Sequence, residues 1–503
     1  MRNLRNSRIA EFFKKHKKIL STTLLISVLT MMLFSYTGDP DFGWHYKYGE
    51  YMVTNNSFLH ENIFSFTMTD YLWANSYWVS QIIIFALYKN FGPIAFSLIL
   101  SVLFATYSYI IFQKAKTPKI IKTPLLFFFI LVISRYMLSV RPFYFSSVCM
   151  LTLIYVLLYN KKLIKYLPLL FLAWVNMHAD FMLGIFVLGA YTLFQLIKDL
   201  KAKKLVKTLA TTAFFPLLSL VATLINPYGI KIWTTMFAEI GNSTQFTHIS
   251  EWVPFSSEFN SYTNISFFIV TSLLLGLLIH SSFMVRKKFG WWLVLVNLVF
   301  LVLSIRAKYF MRIFLVTGIF TVLEFWGQTL EEAAQKISKG FLEPFVKLRP
   351  LWIIIFVFIA IESFARNFGI AGDLPKWASE DKSPYEAVQY IKKTKPEGNM
   401  FNQYGWGGYL IWQLPEYKTF IDGRMASWNQ NGVSPLDEYV KITNDPEENY
   451  SVFERYVEKY NITWILLKKE NELVKYIKEN KSGTWYVGFE NGISTILLKK
   501  SGT

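Results

Sequence analysis

The sequence has very little cysteine and little charge for its length. Its single cysteine, Cys149, excludes both an intramolecular disulfide and a cysteine-based zinc site, and it lies within an apolar run. Only 17% of the 503 residues are charged, whereas 53% are hydrophobic and 18% are aromatic. This composition is too apolar for a soluble enzyme and predicts a membrane protein.

Several common catalytic motifs are also missing. The chain has no HExxH, no P-loop, no GxSxG and no GxGxxG that follows a strand. Proteolysis of those types, nucleotide hydrolysis and NAD chemistry are therefore unsupported.

The net charge of +18 does not indicate nucleic-acid binding, because of where the charge lies. Residues 366–503 carry 18 Lys and Arg against 18 Asp and Glu, which leaves 34 basic and 16 acidic residues in the first 365. All of the excess falls in the apolar part of the chain and follows the connections between apolar runs. Membrane lipids are the expected surroundings, and no nucleic-acid partner is expected.

Charge alternation predicts how the chain crosses the membrane. A basic start, Met1–Leu20, precedes the apolar run Ile19–Tyr36, and lysine-rich stretches occupy every second later connection, so the N-terminus is expected in the cytoplasm. About eleven spans result, with the C-terminus outside, a first outer loop at 37–79 and Trp78–Tyr88 as an interfacial helix. After the first run, the predicted spans are 93–112, 123–140, 143–160, 166–178, 181–197, 208–225, 263–281, 289–305, 313–327 and 350–366.

The fold class expected is thus an α-helical multi-span protein of the cytoplasmic membrane, residues 1–366, followed by an extracytoplasmic α/β domain, residues 367–503. Gln328–Pro350 is expected to be a cytoplasmic amphipathic connector. Helical and strand-like patterns alternate in the C-terminal domain. The predicted helices are 384–393, 437–442, 450–460 and 470–478, and the predicted strands are 399–402, 419–421, 463–467, 484–489 and 493–498.

The stretch Asp39-Pro40-Asp41-Phe42-Gly43-Trp44-His45 follows the first apolar run and offers two carboxylates and an imidazole. Residues spaced i, i+2 do not share a helix face, so a turn or extended loop fixed by Pro40 is predicted, with both acids directed into one polar pocket. Such a pocket can bind a divalent metal or hold a general base. The alternative is an interfacial loop whose acids only keep it in water.

Other ionisable residues collect on the predicted outer side. Each one taken alone is explained by snorkelling or by a structural salt bridge. Together they predict an outer cavity for a phosphate or diphosphate, with Asp180 and His178 as a second acidic or metal site. The basic residues are Arg135, Arg141, Arg306, Lys308 and Arg312, and the long outer loop adds Asn226, Tyr228, His248, Glu251 and Trp252.

Aromatic residues crowd the first outer loop, where an interfacial belt would also place them. Trp44, Trp73 and Trp78 are candidates for stacking on a sugar. In the C-terminal domain, Trp406 and Asp422-Gly423-Arg424 lie in glycine-rich turns, which predict either a ligand-facing surface or tight turns with Trp406 in the core.

These residues occur in ordered motifs that resemble a group of bacterial multi-spanning proteins over most of the chain. The group looks like the GT-C superfamily of glycosyltransferases, to which oligosaccharyltransferases, protein O-mannosyltransferases and the lipid A aminoarabinose transferase belong. This chain departs from the pattern in having Gln81 where an acid is more usual and His-Ala-Asp at 178–180. The motifs are Asp39–Gly49, Phe64–Thr67, Trp73, Trp78–Gln81, Arg141-Pro142, Trp174–His178, Asn226–Gly229, Asn402–Tyr409 and Ile421–Arg424.

The resemblance implies inverting transfer of a hexosyl or pentosyl group from a polyprenyl-phosphate-linked donor to an extracytoplasmic glycan, lipid or protein. It implies a first-loop acid as base or metal ligand, matched first to Asp41 and then to Asp39, beside His45. A divalent cation (Mg or Mn), if needed, would be held by Asp39, Asp41 or Asp180. A lipid-linked-saccharide flippase or a non-catalytic envelope-assembly subunit is the alternative, although a flippase should place charge along the whole crossing path.

Overall fold

The structure is a computed structural model, described here for residues 2–35, 39–136, 141–203, 206–241, 243–254, 291–336, 347–370, 383–430 and 432–500, with a few positions between 271 and 279. Helices dominate the described part of the first 370 residues. They are α1 (Arg2–Leu33), α2 (Pro40–Asn55), α3 (Trp78–Lys114), α4 (Lys119–Tyr136), α5 (Phe143–Tyr159), α6 (Leu167–Val175), α7 (Phe181–Lys201), α8 (Val206–Ala222), α9 (Lys231–Gly241), α10 (Ser243–His248), α11 (Trp291–Arg306), α12 (Met311–Lys336) and α13 (Arg349–Ile370).

Three of these helices are long and apolar enough to cross a membrane, judged by length and composition over the described residues. They are α3, α7 and α13. Shorter apolar stretches occur at Ile121–Ser134, Phe143–Tyr159, Ala210–Ala222 and Trp291–Arg306. The predicted span at 263–281 lies largely outside the described residues. Of the predicted connector at 328–350, residues 337–346 lie outside them, and its first part continues α12 to Lys336.

Helix α3 is interrupted at Gly92, where φ is +75° and ψ is 174°. A side chain rarely adopts this positive φ, and Pro93 follows immediately, so the chain changes direction here. The segment from Trp78 to Phe91 therefore forms a separate helical piece, as the sequence predicts. The second piece packs with α1, α4 and α5.

A four-stranded mixed sheet lies at the C-terminal end of the chain. Its strands are β1 (Asn399–Asn402), β2 (Ile462–Lys468), β3 (Trp485–Glu490) and β4 (Ser494–Lys499), in the order β1-β2-β4-β3. The β1–β2 pair is parallel and the other two pairs are antiparallel. The helices are α14 (Tyr385–Thr394), α15 (Gly407–Gln413), α16 (Pro435–Asn444), α17 (Pro446–Lys459) and α18 (Glu472–Asn480).

The predicted strand at 419–421 is wrong. Thr419 forms only an isolated parallel bridge to Ser65 of the first outer loop. The side chain of Asn402 replaces sheet pairing there: its Oδ1 accepts from the Phe420 amide and its Nδ2 donates to the Ile421 carbonyl. Residues 419–421 are buried, but they connect the C-terminal part to the first outer loop and do not join the sheet.

The helical part and the C-terminal part pack closely through α2 and α15. A Cβ atom on Gly43 would lie 2.1 Å from the Gly408 carbonyl oxygen and 2.8 Å from Trp412 Cβ. Only glycine permits backbones to approach this closely. The contact places the start of α2 directly beneath the C-terminal domain.

Candidate active site

A cavity of about 380 Å³ lies where the helical part meets the C-terminal domain. It is open to the outside of the protein and is lined by both parts. Its polar and aromatic lining includes Asp39, Asp41, Trp44, His45, Trp73, Tyr77, Arg141, His178, Asp180, Glu239, Gln245, Glu251, Trp252, Tyr309, Tyr404, Gly423, Arg424 and Ser427.

The two first-loop acids stand at the N-terminus of α2. Asp39 is the N-cap, its Oδ1 accepts the backbone N–H of Asp41 at 2.9 Å, and Pro40 occupies the first helical turn. The predicted turn or extended loop is therefore wrong. The spacing argument fails because Asp39 lies outside the helix, so both carboxylates still face the same cavity.

Arg141, two residues before the start of α5, lies close to three carboxylates. Its Nη2 lies 2.5 Å from Asp39 Oδ2 and 3.3 Å from Asp41 Oδ2, and its Nη1 lies 2.9 Å from Glu251 Oε1. One guanidinium cannot neutralise three carboxylates, so this part of the cavity is acidic. Trp44 completes the surroundings by donating its indole N–H to Asp41 Oδ1 at 3.1 Å.

The Asp41 carboxyl has an unusual protonation equilibrium. Burial raises its pKa to about 6; Asp39 and Glu251 act in the same direction, against Arg141 and the Trp44 hydrogen bond. Asp41 thus ionises near neutral pH, where a general base is most effective. Its side chain keeps 28% exposure, so a substrate can reach it.

Asp180 has the opposite character. It is buried and accepts hydrogen bonds from Tyr309 Oη and Arg312 Nη2, both at 2.7 Å. Its backbone N–H donates to His178 Nδ1 at 3.1 Å, which keeps that imidazole 3.3 Å from the carboxylate. Although burial opposes ionisation, the Arg312 guanidinium holds the pKa of Asp180 far below its usual value. Asp180 is a permanent anion that anchors α12 to the start of α7.

The predicted phosphate-binding cluster of basic residues does not form around the cavity. Arg141 lines it, whereas Arg312 is committed to Asp180, and Arg306 lies over the Phe246 ring at 5.3 Å. Lys308 is not among the lining residues, and the Arg135 side chain lies outside the described part of the chain.

The C-terminal domain forms the roof through the loop after Ile421. A Cβ on Gly423 would lie 2.3 Å from Asp41 Oδ1, so the backbone passes directly over this carboxylate. Arg424 next to it is paired with Asp422 through two hydrogen bonds of 2.7 and 2.6 Å and donates to Tyr48 Oη at 2.7 Å. Both side chains of the ion pair are fully buried.

The expectation of an exposed, ligand-facing Arg424 is therefore wrong. Desolvation of Arg424 is outweighed by Asp422 and Tyr48, which raise its pKa further. Trp406 is 2% exposed and packs in the core with Tyr409 and Leu466, as the core alternative predicts. Neither Trp406 nor Asp422 lines the cavity.

The aromatic candidates divide in the same way. Trp44, Trp73 and Trp252 line the cavity, and Trp252 stacks on Tyr309 at 4.4 Å. Trp78 instead donates its indole N–H to Asn176 Oδ1 at 2.7 Å. Asn226 closes a turn, because its Oδ1 accepts a hydrogen bond from the backbone N–H of Tyr228. Neither residue lines the cavity.

Sequence reasoning missed Glu239, Gln245, Tyr309, Tyr404 and Ser427, all of which line the cavity. Glu239 is the only acid in α9, which was the available signal. Burial raises its pKa to about 7, opposed by a hydrogen bond with Ser427. The other four are polar residues of ordinary loops and helix ends, and only the fold brings them together.

The acidic residues do not fit a divalent metal site. No group of three metal-binding side chains occurs among the described residues. Asp39, Asp41 and Glu251 are close together only because Arg141 lies between them, at the position where a cation would be needed. Both carboxylate oxygens of Asp180 already accept hydrogen bonds, from Tyr309 and from Arg312, whose guanidinium charge disfavours a second cation there.

No family model and no curated protein sequence matches the chain. Its structure is similar to the crystal structure of ArnT from Cupriavidus metallidurans in the apo state, with a TM-score of 0.51 and 11% sequence identity. The match covers 95% of this chain and 96% of that chain.

This likeness shows the fold. The fold is mostly helical with a C-terminal mixed sheet, and at the level of the fold it agrees with the resemblance drawn from the motifs.

Proposed function

We propose that the protein is a membrane glycosyltransferase that moves a sugar from a polyprenyl-phosphate-linked donor to an extracytoplasmic acceptor. The observation that carries this proposal is the partly exposed Asp41 carboxylate in a cavity roofed by the C-terminal domain, in a chain with the ArnT fold. A donor of this kind carries its own leaving group, so no nucleotide-binding motif is required.

Asp41 is the proposed base. The acceptor oxygen attacks the anomeric carbon while the bond from that carbon to the phosphate oxygen breaks, and the configuration inverts. The acceptor proton passes to an Asp41 oxygen, and the electron pair of the broken bond leaves with polyprenyl phosphate. The Trp44 indole, which donates to Oδ1, fixes the carboxylate orientation for this transfer.

Arg141 is the proposed contact for the donor phosphate. Of its three carboxylate partners, Glu251 is the most exposed, at 46%. A phosphate oxygen can replace Glu251 at Nη1 while Asp39 keeps the guanidinium in place at Nη2. Charge that develops on the departing phosphate would then meet a cation that is already oriented.

The sugar is proposed to lie against Trp44 and Trp73. Their ring centroids are 5.7 Å apart and their planes are nearly perpendicular, so they form a corner in the cavity wall. Glu239 and Ser427 face the same cavity and can accept hydrogen bonds from sugar hydroxyls. A lipid acceptor is the first class to test, followed by glycan and protein.

The test uses purified full-length protein with a panel of polyprenyl-phosphate sugars and measures released polyprenyl phosphate. Release that depends on an added acceptor is expected for one donor. In parallel, vesicles containing the protein and a fluorescent lipid-linked saccharide report translocation. Translocation without release of polyprenyl phosphate would favour the flippase and overturn the proposal.

A further inference from the structure

A chain of three buried side chains ends on His45, which faces the cavity. Asn75, Gln81 and His45 are 1%, 0% and 3% exposed, and only His45 lines the cavity. Gln81 Oε1 lies 2.8 Å from Asn75 Nδ2, and Gln81 Nε2 lies 3.3 Å from His45 Nδ1. Gln81 occupies a position where an acid is more usual in the resembling proteins. It is hydrogen-bonded on both sides, to Asn75 and to His45.

The direction of every hydrogen bond in this chain is set by a backbone amide. The N–H of Tyr77 donates to Asn75 Oδ1 at 3.0 Å, and a backbone N–H can only donate. Asn75 must therefore present its NH₂ group to Gln81, which must accept through Oε1. Gln81 then has only its NH₂ group to offer to His45.

The consequence falls on the imidazole. Because Nδ1 accepts a hydrogen bond from Gln81, it carries no proton, and a neutral ring must carry its proton on Nε2. None of the described residues bonds to Nε2. The ring packs on Trp44 with centroids 3.5 Å apart and meets Tyr77 edge-on at 5.4 Å, so it cannot turn over freely.

We propose that Asn75 and Gln81 are positioning residues that hold His45 as a neutral Nε2–H tautomer, a fixed hydrogen-bond donor to the substrate in the cavity. This role rests on the proposed transfer reaction, in which the His45 Nε2–H group can donate a hydrogen bond to a phosphate or hydroxyl oxygen next to Asp41. A carboxylate at position 81 would favour the other tautomer of His45, because it would accept a hydrogen bond from Nδ1–H.

The electrostatic surroundings agree with a neutral ring. Burial, followed by the charges of Arg141 and His178, holds the pKa of His45 well below its usual value. Burial also lowers the pKa of His178, although the Asp180 carboxylate acts to raise it. The two imidazoles on either side of Tyr77 are therefore both neutral at physiological pH. A neutral ring can donate from one nitrogen only, which gives the tautomer its importance.

The test is the ¹⁵N spectrum of the full-length protein labelled at histidine, at about pH 8, where an ordinary histidine is neutral. The chain has six histidines, so the His45 signal is assigned by its loss in His45→Gln. The wild type is expected to show a pyridine-type Nδ1 and a pyrrole-type Nε2. The opposite pattern would overturn the proposal.

Asn75→Asp tests the relay without touching His45 or the cavity. The new carboxylate still accepts from the Tyr77 amide but cannot donate, so Gln81 must turn its NH₂ group toward it and present Oε1 to His45. The proton is then expected to move to Nδ1. Gln81→Glu should give the same result, because the new carboxylate contacts His45 directly. Asn55→Asp is the control: it is an exposed change on α2, the helix that carries His45, and should not alter the spectrum. An unchanged His45 in Asn75→Asp would overturn the relay.

Activity provides a separate result. Both relay variants are expected to lower kcat/KM for transfer by about ten-fold or more, as loss of a tautomer-fixing partner does for other functional histidines. If the wild type transfers no sugar from any donor, the proposed function fails while the tautomer result stands. If the tautomer moves and kcat/KM does not change, the positioning role is overturned.

Discussion

At the scale of single residues, the charge state of Asp41 decides whether the cavity can act as a base. Its pKa is about 6, because burial and two neighbouring acids outweigh Arg141 and the Trp44 hydrogen bond. The pKa of Asp41 in the folded protein lies above that of an ordinary aspartate. Ionisation of Asp41, as pH rises from the ordinary pKa to about 6, therefore lowers the stability of the fold and creates the active form. The activity and the stability contribution of this residue therefore change with pH in opposite directions.

The pH dependence of transfer follows from this. We predict that kcat/KM is low in acid and rises with a midpoint near 6, which a pH series of initial rates measures. Glu251→Gln removes one of the charges that raises the Asp41 pKa, so the midpoint should move to lower pH. Because Glu251 is 46% exposed, folding should be unaffected. An upward shift in this variant would contradict the assignment.

Arg424 is predicted to be essential for stability. Arg424→Ala leaves the buried Asp422 carboxylate unpaired, which typically costs about 3–5 kcal/mol, so a marked fall in the melting temperature of the full-length protein in detergent is expected. The matched control is Arg366→Ala, whose ion pair with Glu362 is about half exposed and contributes about 1 kcal/mol or less. Equal melting temperatures would show that the Asp422–Arg424 pair is not required.

At the scale of secondary structure, α2 joins the two parts of the molecule. Its N-terminal end presents Asp39, Asp41 and Trp44 to the cavity, and its Gly43 lies against α15. The same helix therefore carries the proposed base and the contact with the C-terminal domain. A change in that contact should disturb both.

Gly43→Ala is predicted to separate the two helices. The new Cβ would lie 2.1 Å from a backbone oxygen that cannot move independently, and overpacking of this kind costs about 1–3 kcal/mol. We expect lower thermal stability and faster limited proteolysis between the helical part and the C-terminal domain. Gly405→Ala is the control, because a Cβ there meets nothing within 4 Å. Equal proteolysis of the two variants would contradict the close contact.

The sequence predicted most C-terminal helices and strands because their apolar periodicity is clear. It failed at α2, where the Asp-Pro pair was interpreted as a turn although an N-cap followed by proline also starts helices. It failed at residues 419–421, where side-chain hydrogen bonds of Asn402 replace the pairing with a neighbouring strand. Both errors arise because a local pattern does not identify the partner in space.

The candidate site was predicted in part. Asp39, Asp41, His45, Trp44, Trp73 and Arg141 were singled out from the sequence and do meet in one cavity. The pairing of Asp180 with Arg312 and of Asp422 with Arg424 could not be deduced, since partners 132 residues apart, or buried by another domain, leave no local signal. Glu239 and Tyr404 were missed for the same reason.

At the scale of the whole molecule, the proposal requires the cavity to face the outside of the cell. The lysine-rich connections predict Met1 in the cytoplasm and Thr503 outside. Fusions to the C-terminus test this: an alkaline phosphatase fusion is expected to be active and a fluorescent-protein fusion dark. A bright cytoplasmic fusion without phosphatase activity would place the C-terminal domain, and the cavity it roofs, on the wrong side.

The role of Asp41 as the base is tested by comparing wild type and Asp41→Asn in the release of polyprenyl phosphate from the donor found in the panel. The two proteins should have similar melting temperatures, because the substitution removes a charge that the cavity compensates poorly. Asp39→Asn is the matched control, since asparagine also caps a helix, and it should lose less activity. Release is expected to disappear with Asp41→Asn; retention of activity within a few-fold would contradict the assignment of Asp41 as the base.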